Sequence, residues 1–158
     1  MENFSSIKLD ATDIELLNLL QRDAKMKHKE LAAALGLTIT PIYERIKRLE
    51  KAGVIKQYAT LLDPVKVGKE LICFSMVTLE KHSQAYLKEF EAKVMEITEV
   101  MECYHLAGEY DYILKVVVKD MNQYQQFIVN KLSAINNVGQ VQSSFALSTL
   151  KATTAYSL

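Results

Sequence analysis

The stretch His28–Tyr58 reads HKELAAALGLTITPIYERIKRLEKAGVIKQY. Its rhythm predicts a short helix, a turn rich in capping residues, and a second helix that shows cations beside an apolar stripe. Leu31, Ala32 and Leu35 point inward from the first helix, residues 28–35, and Gly36 fits its C-terminal stop. The second helix starts after Thr38 or Thr40. With Thr40 as the cap, Pro41 takes the first helical position, where a missing N–H costs nothing. Ile42, Ile46 and Leu49 recur at i, i+4 and i+7 as the buried stripe. Tyr43, Glu44, Lys47, Arg48 and Lys51 are left outward, and Gly53 ends the helix. Residues 54–62 read as extended until Asp63 and Pro64 break them. This is a helix-turn-helix with a following strand that can start a wing. Such a unit points to DNA and to a regulator rather than an enzyme.

Upstream, Asp10 is the expected cap of another helix, with Asp13 adding negative charge to its first turn. Ile14, Leu16, Leu17 and Leu20 supply its apolar face. The chain has 158 residues and no net charge, yet the charge is unevenly placed. Residues 25–56 carry eight Lys/Arg against three Glu, a balance of +5, whereas residues 57–158 carry nine Lys/Arg against eleven Asp/Glu, or −2. A basic front on a near-neutral body suits phosphate contact by one part of the molecule. The two cysteines, Cys73 and Cys103, lie in apolar, strand-like runs and read as buried free thiols rather than a secreted disulfide framework. The N-terminus lacks the cationic start and apolar core of an export signal, and no apolar run approaches the length of a membrane span. The expected location is the cytoplasm.

The remainder changes rhythm. Strands are expected over residues 71–79, 100–107, 112–118 and 138–150. Amphipathic helices are expected over 83–97, with Tyr86, Leu87, Phe90, Val94 and Ile97 inward, and over 121–135, built on Tyr124, Phe127, Ile128 and Leu132. Gly108–Asp111 is a turn, and Asn136 and Asn137 break the last helix. The order β-α-β-β-α-β is the split arrangement of ferredoxin-like domains. Helices cover only one sheet face in that fold, so the other should alternate with polar residues. Yet Ile72, Phe74 and Met76 oppose Leu71, Cys73 and Val77, and Tyr112, Leu114, Val116 and Val118 oppose Ile113 and Val117. Two apolar faces imply a second sheet, most simply that of a homodimer. The expected domains are residues 1–62 for DNA, a linker at 63–70, and residues 71–158 for ligand sensing and assembly.

Several motifs in order resemble the Lrp/AsnC, or feast/famine, family of transcription regulators. Leu9, Asp13, Leu17 and Leu20 are followed by Glu30-Leu31-Ala32, Gly36-Leu37-Thr38, and Arg45, Arg48, Leu49, Gly53 and Ile55. Later come Val100, Glu102, Cys103 and Tyr104, then Gly108, Tyr110, Asp111, Tyr112, Leu114 and Val116. The resemblance covers nearly the whole chain. It implies an N-terminal winged helix-turn-helix, a ferredoxin-like sensing domain, dimers that assemble into octamers, and an amino acid bound between dimers near Gly108–Asp111. Two departures stand out. Lys27 occupies a position where the family often has Ser or Thr, and Ala107 one where it often has Thr.

Candidate DNA contacts are Lys27, His28, Lys29, Thr38, Thr40, Pro41, Tyr43, Glu44, Lys47, Arg48 and Lys51. Hydroxyls, lysines and helix N-termini suit phosphate oxygens, and arginine can grip guanine bidentately. The plainer readings are that Thr38 only caps, Tyr43 only packs and Arg45 pairs with a nearby Glu. Candidate effector residues are Tyr104, His105, Leu106, Gly108, Glu109, Tyr110, Asp111, Ser143 and Ser144. Gly108 can allow positive φ. The turn's N–H groups can hold a carboxylate, and Asp111 can meet an ammonium or merely bond its own turn. The three histidines fall in separate regions, and no catalytic set, metal site or cofactor motif emerges. The sequence thus implies a sequence-specific regulator with double-stranded DNA, an amino-acid effector and its own copies as partners. The alternatives are a non-specific architectural DNA-binder and a small enzyme built on a ferredoxin-like dimer.

Overall fold

A computed structural model describes residues 7–158. Residues 1–6, part of the segment read as lacking an export signal, lie outside the described residues. The chain divides into two compact units. One comprises the residues up to Leu61 together with Lys151–Leu158, the other Leu62–Leu150. The last eight residues, expected with the sensing domain, therefore group with the first unit. Gln21 fastens them there. Its Nε2 donates to the Tyr156 carbonyl at 3.1 Å, and the Tyr156 amide donates to its Oε1 at 2.7 Å.

The first unit is a helical trio: α1 (Ala11–Arg22), α2 (His28–Ala34) and α3 (Ile39–Lys51). Asp10 caps α1 in a reciprocal box. Its Oδ1 accepts from the Asp13 amide at 2.8 Å, and the Asp13 carboxylate accepts from the Asp10 amide at 3.1 Å. At α2, Lys27 offers no capping side chain, but Glu30 reaches back to its amide at 2.7 Å and supplies half of such a box. Gly36 and Gly53 sit at φ +64° and +70°, the left-handed conformation that side chains resist. Each closes a Schellman motif. Leu37 N bonds Ala32 O at 2.9 Å after α2, and Val54 N bonds Leu49 O at 3.0 Å after α3. Thr38, not Thr40, takes the cap position of α3. Pro41 is therefore third in the helix, still among the first four amides that have no intrahelical acceptor. Leu16, Leu17, Leu31, Ala32, Ile42, Ile46 and Leu49 form the core. Residues 56–63, the expected wing, run without strand pairing.

The second unit is a four-stranded antiparallel sheet in the order β2-β3-β1-β4, made of β1 (Leu71–Leu79), β2 (Val100–His105), β3 (Tyr112–Val118) and β4 (Val138–Phe145). Helices α4 (Gln84–Met95) and α5 (Met121–Phe127) pack on one face, where Cys73, Val77, Leu79, Tyr112, Leu114, Val116 and Val118 meet Phe90, Val94, Phe127 and Leu132. The helix expected to reach residue 135 instead passes into a π-helical turn, Ile128–Leu132. The Ser133 amide there bonds Ile128 O at 2.9 Å. Asn137, at φ 71°, then starts β4. Strand β4 stops at Phe145 rather than residue 150, and β2 at His105 rather than 107. A register shift falls between Val77 and Leu79 against β4. Gly139 lies close beside it; a Cβ there would sit 3.2 Å from Thr78 Oγ1 and 3.3 Å from Thr78 O, so a side chain would have to push Thr78 aside. Cys73 is buried, but Cys103 is exposed on β2, because β2 is an edge strand. The face away from the helices carries Ile72, Phe74, Met76, Ile113 and Val117, with Phe74 exposed and the others partly so. No described helix is long and apolar enough to cross a membrane.

Candidate functional site

In the first unit, the stripe that buries Ile42, Ile46 and Leu49 turns the opposite side of α3 to solvent. Thr38, Thr40, Pro41, Tyr43, Glu44, Lys47, Arg48 and Lys51 are all exposed, as are Lys27, His28 and Lys29 at the start of α2. The His28 ring meets the Tyr43 ring edge-on, with centroids 5.8 Å apart. Lys47 Nζ lies 5.8 Å from the same Tyr43 ring and 3.4 Å from Glu50. Tyr43 thus touches His28 of α2 and Lys47 of α3.

Arg45 and Arg48 behave differently. Arg45 Nη1 bonds Asp10 at 2.6 Å and Asp13 at 2.7 Å, while Arg48 Nη2 bonds the other Asp13 oxygen at 2.5 Å. The Arg45 guanidinium and the donated Asp13 amide hold the Asp10 carboxyl below the usual carboxylate range. The same two carboxylates push the Arg45 pKa up. The plainer reading pairs Arg45 with a nearby glutamate; its partners are instead the α1 cap Asp10 and Asp13 in the first turn, more than thirty residues away in sequence. Asp13 is fully buried.

In the second unit, residues 106–111 connect β2 to β3. The Leu106 amide bonds Asp111 O at 2.7 Å, and the Asp111 amide bonds Val77 O at 2.9 Å, so the loop is fixed at both ends. Among the described residues, the amides of Ala107, Gly108, Glu109 and Tyr110 donate to no protein acceptor. Gly108 lies outside the left-handed region, contrary to expectation, and a Cβ there would meet nothing within 4 Å. The Asp111 carboxylate is not a free anion. It accepts from the Leu79 amide at 2.7 Å and lies 3.0 Å from His82 Nε2, clamping the end of β1 at its register shift. His82 was missed in sequence because it falls outside every motif.

The other effector candidates divide between the two sheet faces. His105 is on the helix side, stacked 4.7 Å from Tyr112. Tyr104, paired with Ile113, is on the open side, where its hydroxyl donates to Glu102 at 2.9 Å. Ser143 is on the helix side, 3.2 Å from the buried Ser75 hydroxyl and bonded by the Tyr124 hydroxyl. It lines a groove of about 200 Å3 with Gln125, Ile128, Val129 and Val141. Ser144 is on the open side, opposite Phe74. On that side the Tyr110 hydroxyl bonds Gln142.

Comparison with known proteins matches these two constellations. Residues 9–56 match the family model for winged helix-turn-helix DNA-binding domains, and residues 72–156 that for the Lrp/AsnC ligand binding domain. The chain is 39% identical to the DNA-binding transcriptional activator DecR of Escherichia coli K12, over 93% of this chain and 97% of that protein. It is 37% identical to the Bkd operon transcriptional regulator of Pseudomonas aeruginosa, over 89% and 92%. A transcriptional regulator from Neisseria meningitidis, solved in complex with L-Met, superimposes with a TM-score of 0.90 at 36% identity, covering 95% of this chain and 97% of that one. With its helix-turn-helix and its sensing sheet both accounted for, this chain belongs to the Lrp/AsnC family of DNA-binding transcriptional regulators.

Proposed function

We propose that the chain reads a duplex site with α3 and adjusts its grip through an amino acid held at the loop 106–111. The observation that carries the reading is the solvent face of α3. Its cations, with Tyr43 set between Lys47 and the His28 ring of α2, are backed by a rigid stripe of Ile42, Ile46 and Leu49. A helix so backed can enter a major groove while the lysines seek phosphate. Lys47→Ala is expected to weaken binding to all sequences alike and to flatten the dependence of log K on log salt by about 0.9 for the lost phosphate contact. An unchanged slope in electrophoretic or fluorescence titrations removes Lys47 from the interface. Equal affinity of the wild-type chain for selected and random duplexes favours an architectural role instead.

For the effector, the undonated amides of the anchored loop suit a carboxylate. The L-Met of the Neisseria regulator makes an amino acid the first candidate class. The candidate side chains diverge across two faces of one sheet, so the pocket is completed by another copy of the chain. The open apolar face of Phe74, Met76 and Ile113 gives that copy a surface to pack on, and octamers follow if dimers meet at the loops. Asp111 anchors the loop rather than offering a free charge. A ligand that binds only the folded state raises its melting temperature, which allows the twenty amino acids to be screened. Asp111→Ala is expected to abolish the shift given by the best of them. Asp111→Asn, which still accepts from the Leu79 amide, keeps part of it. A full shift in Asp111→Ala puts the site elsewhere. Action on DNA puts the protein in the cytoplasm.

A further inference from the structure

We infer that Asp10 and Asp13 set DNA selectivity. By holding the guanidinium groups of Arg45 and Arg48 against α1, they withhold two cations of α3 from indiscriminate phosphate contact and fix the line along which Arg48 can reach a base. The inference rests on the reading of α3 as the helix that meets DNA.

Asp13 is the unusual member. Its side chain is fully buried, yet it lies one turn into a helix whose neighbours Ala11 and Glu15 are exposed. A buried carboxylate is stable only when its lone pairs are met. Here they are met by the Asp10 amide at 3.1 Å, Arg45 at 2.7 Å and Arg48 at 2.5 Å. Asp10 adds a second carboxylate, 2.6 Å from Arg45. Two carboxylates thus face two guanidinium groups, and the cluster is neutral within itself. Both arginines nonetheless stay partly open to solvent, at 27% and 46% of their side-chain surface.

Two consequences follow. The +5 of residues 25–56 includes Arg45 and Arg48, whose charge is already balanced from α1, so a phosphate backbone meets chiefly lysines. Arg48, held through Nη2, has its remaining N–H groups pre-aimed. A guanidinium ordered in advance loses less freedom on binding, and its planar fork discriminates guanine by geometry rather than by charge. Cut from Asp13, the same arginine becomes a mobile cation that any phosphate can capture.

Two substitutions in the full-length chain test this. Asp10→Asn removes one carboxylate but keeps the helix cap, since Asn caps as well as Asp. Asp13→Asn removes the buried one. Binding is measured across a range of salt to the best duplex that the wild-type chain enriches from a randomised library, and to a random duplex of equal length. Both variants are expected to bind the random duplex roughly threefold more tightly, with a salt slope steeper by up to about 0.9 per freed arginine. In Asp13→Asn, which cuts Arg48 loose, the ratio of selected to random affinity should fall roughly tenfold, the size of effect carried by one base contact. Asp10→Asn leaves Arg48 on Asp13 and loosens only Arg45, so it shows in random affinity and slope. A merely structural role lowers both affinities together and leaves ratio and slope unchanged; that result overturns the inference. Should Asp13→Asn not fold, Asp10→Asn decides through its random affinity and salt slope, because its side chain is half exposed and its cap is preserved. If the wild-type chain enriches no duplex, the reading of α3 fails and takes this inference with it. Enrichment by the wild type with unchanged random affinity and salt slope in Asp10→Asn sinks the inference alone.

Discussion

Met76→Glu should dissociate the chain into monomers and weaken binding to a duplex carrying two half-sites by about 10²–10⁴-fold, the range set by loss of avidity. Met76 lies on the face of the sheet away from the helices, opposite Ile113 on β3 and Gln142 on β4. Neither neighbour can pair with a carboxylate as a cation. The nearest lysine across the strands, Lys115, is already bonded to Glu102 at 2.7 Å. A glutamate at this point is harmless in a monomer, where water solvates it. Against a second apolar sheet it is an unpaired buried charge, which association cannot overcome. Sedimentation should report a single-chain mass, with circular dichroism unchanged. A dimer with unaltered DNA affinity would show that copies do not meet through this face.

Phe90→Ala is expected to destabilise the second unit by about 3–5 kcal/mol, the range for emptying a buried phenylalanine site. Phe90 is fully buried on α4, and its ring packs 4.6 Å from that of Tyr112 on β3. Tyr112 itself is held by a 3.0 Å bond from its hydroxyl to Glu91. Burial and that carboxylate push the phenol's pKa far up. Little can collapse into the space without breaking that bond. The core of the first unit is made of other residues. Calorimetry should therefore show the transition of residues 62–150 lowered by more than about 10 °C, while that of the DNA-binding unit stays in place. A loss below about 1 kcal/mol would mean that α4 repacks.

What could be read in the sequence was local. Asp10 as a cap, the stops at Gly36 and Gly53, and the inward stripe of α3 each depend on residues a few positions apart. The β-α-β-β-α-β order followed from periodicity, and the match to ligand-binding and DNA-binding family models supports the same architecture. What escaped was contact between distant segments. Asp13 looked like a helix-dipole residue; only the fold brings Arg45 and Arg48 to it. Gly108 stays outside the left-handed region, whereas a Cβ at Gly139 would press on Thr78. Composition cannot tell these two glycines apart. Ser143 and Ser144 share a strand, but the pleat sends them to opposite faces. The π-helical turn at Ile128 leaves no mark in apolar spacing until its hydrogen bonds are seen.

The return of Lys151–Leu158 to the first unit makes that unit discontinuous in sequence, with the sensing sheet lying as an insertion between its parts. Synthesis runs from the N-terminus, and domains tend to fold as they emerge. The helices of the DNA-binding unit leave the ribosome before the sensing sheet, yet the segment that Gln21 fastens leaves after it. The unit begun before the sensing sheet is thus finished after it. It is completed only once the sensing sheet has been made.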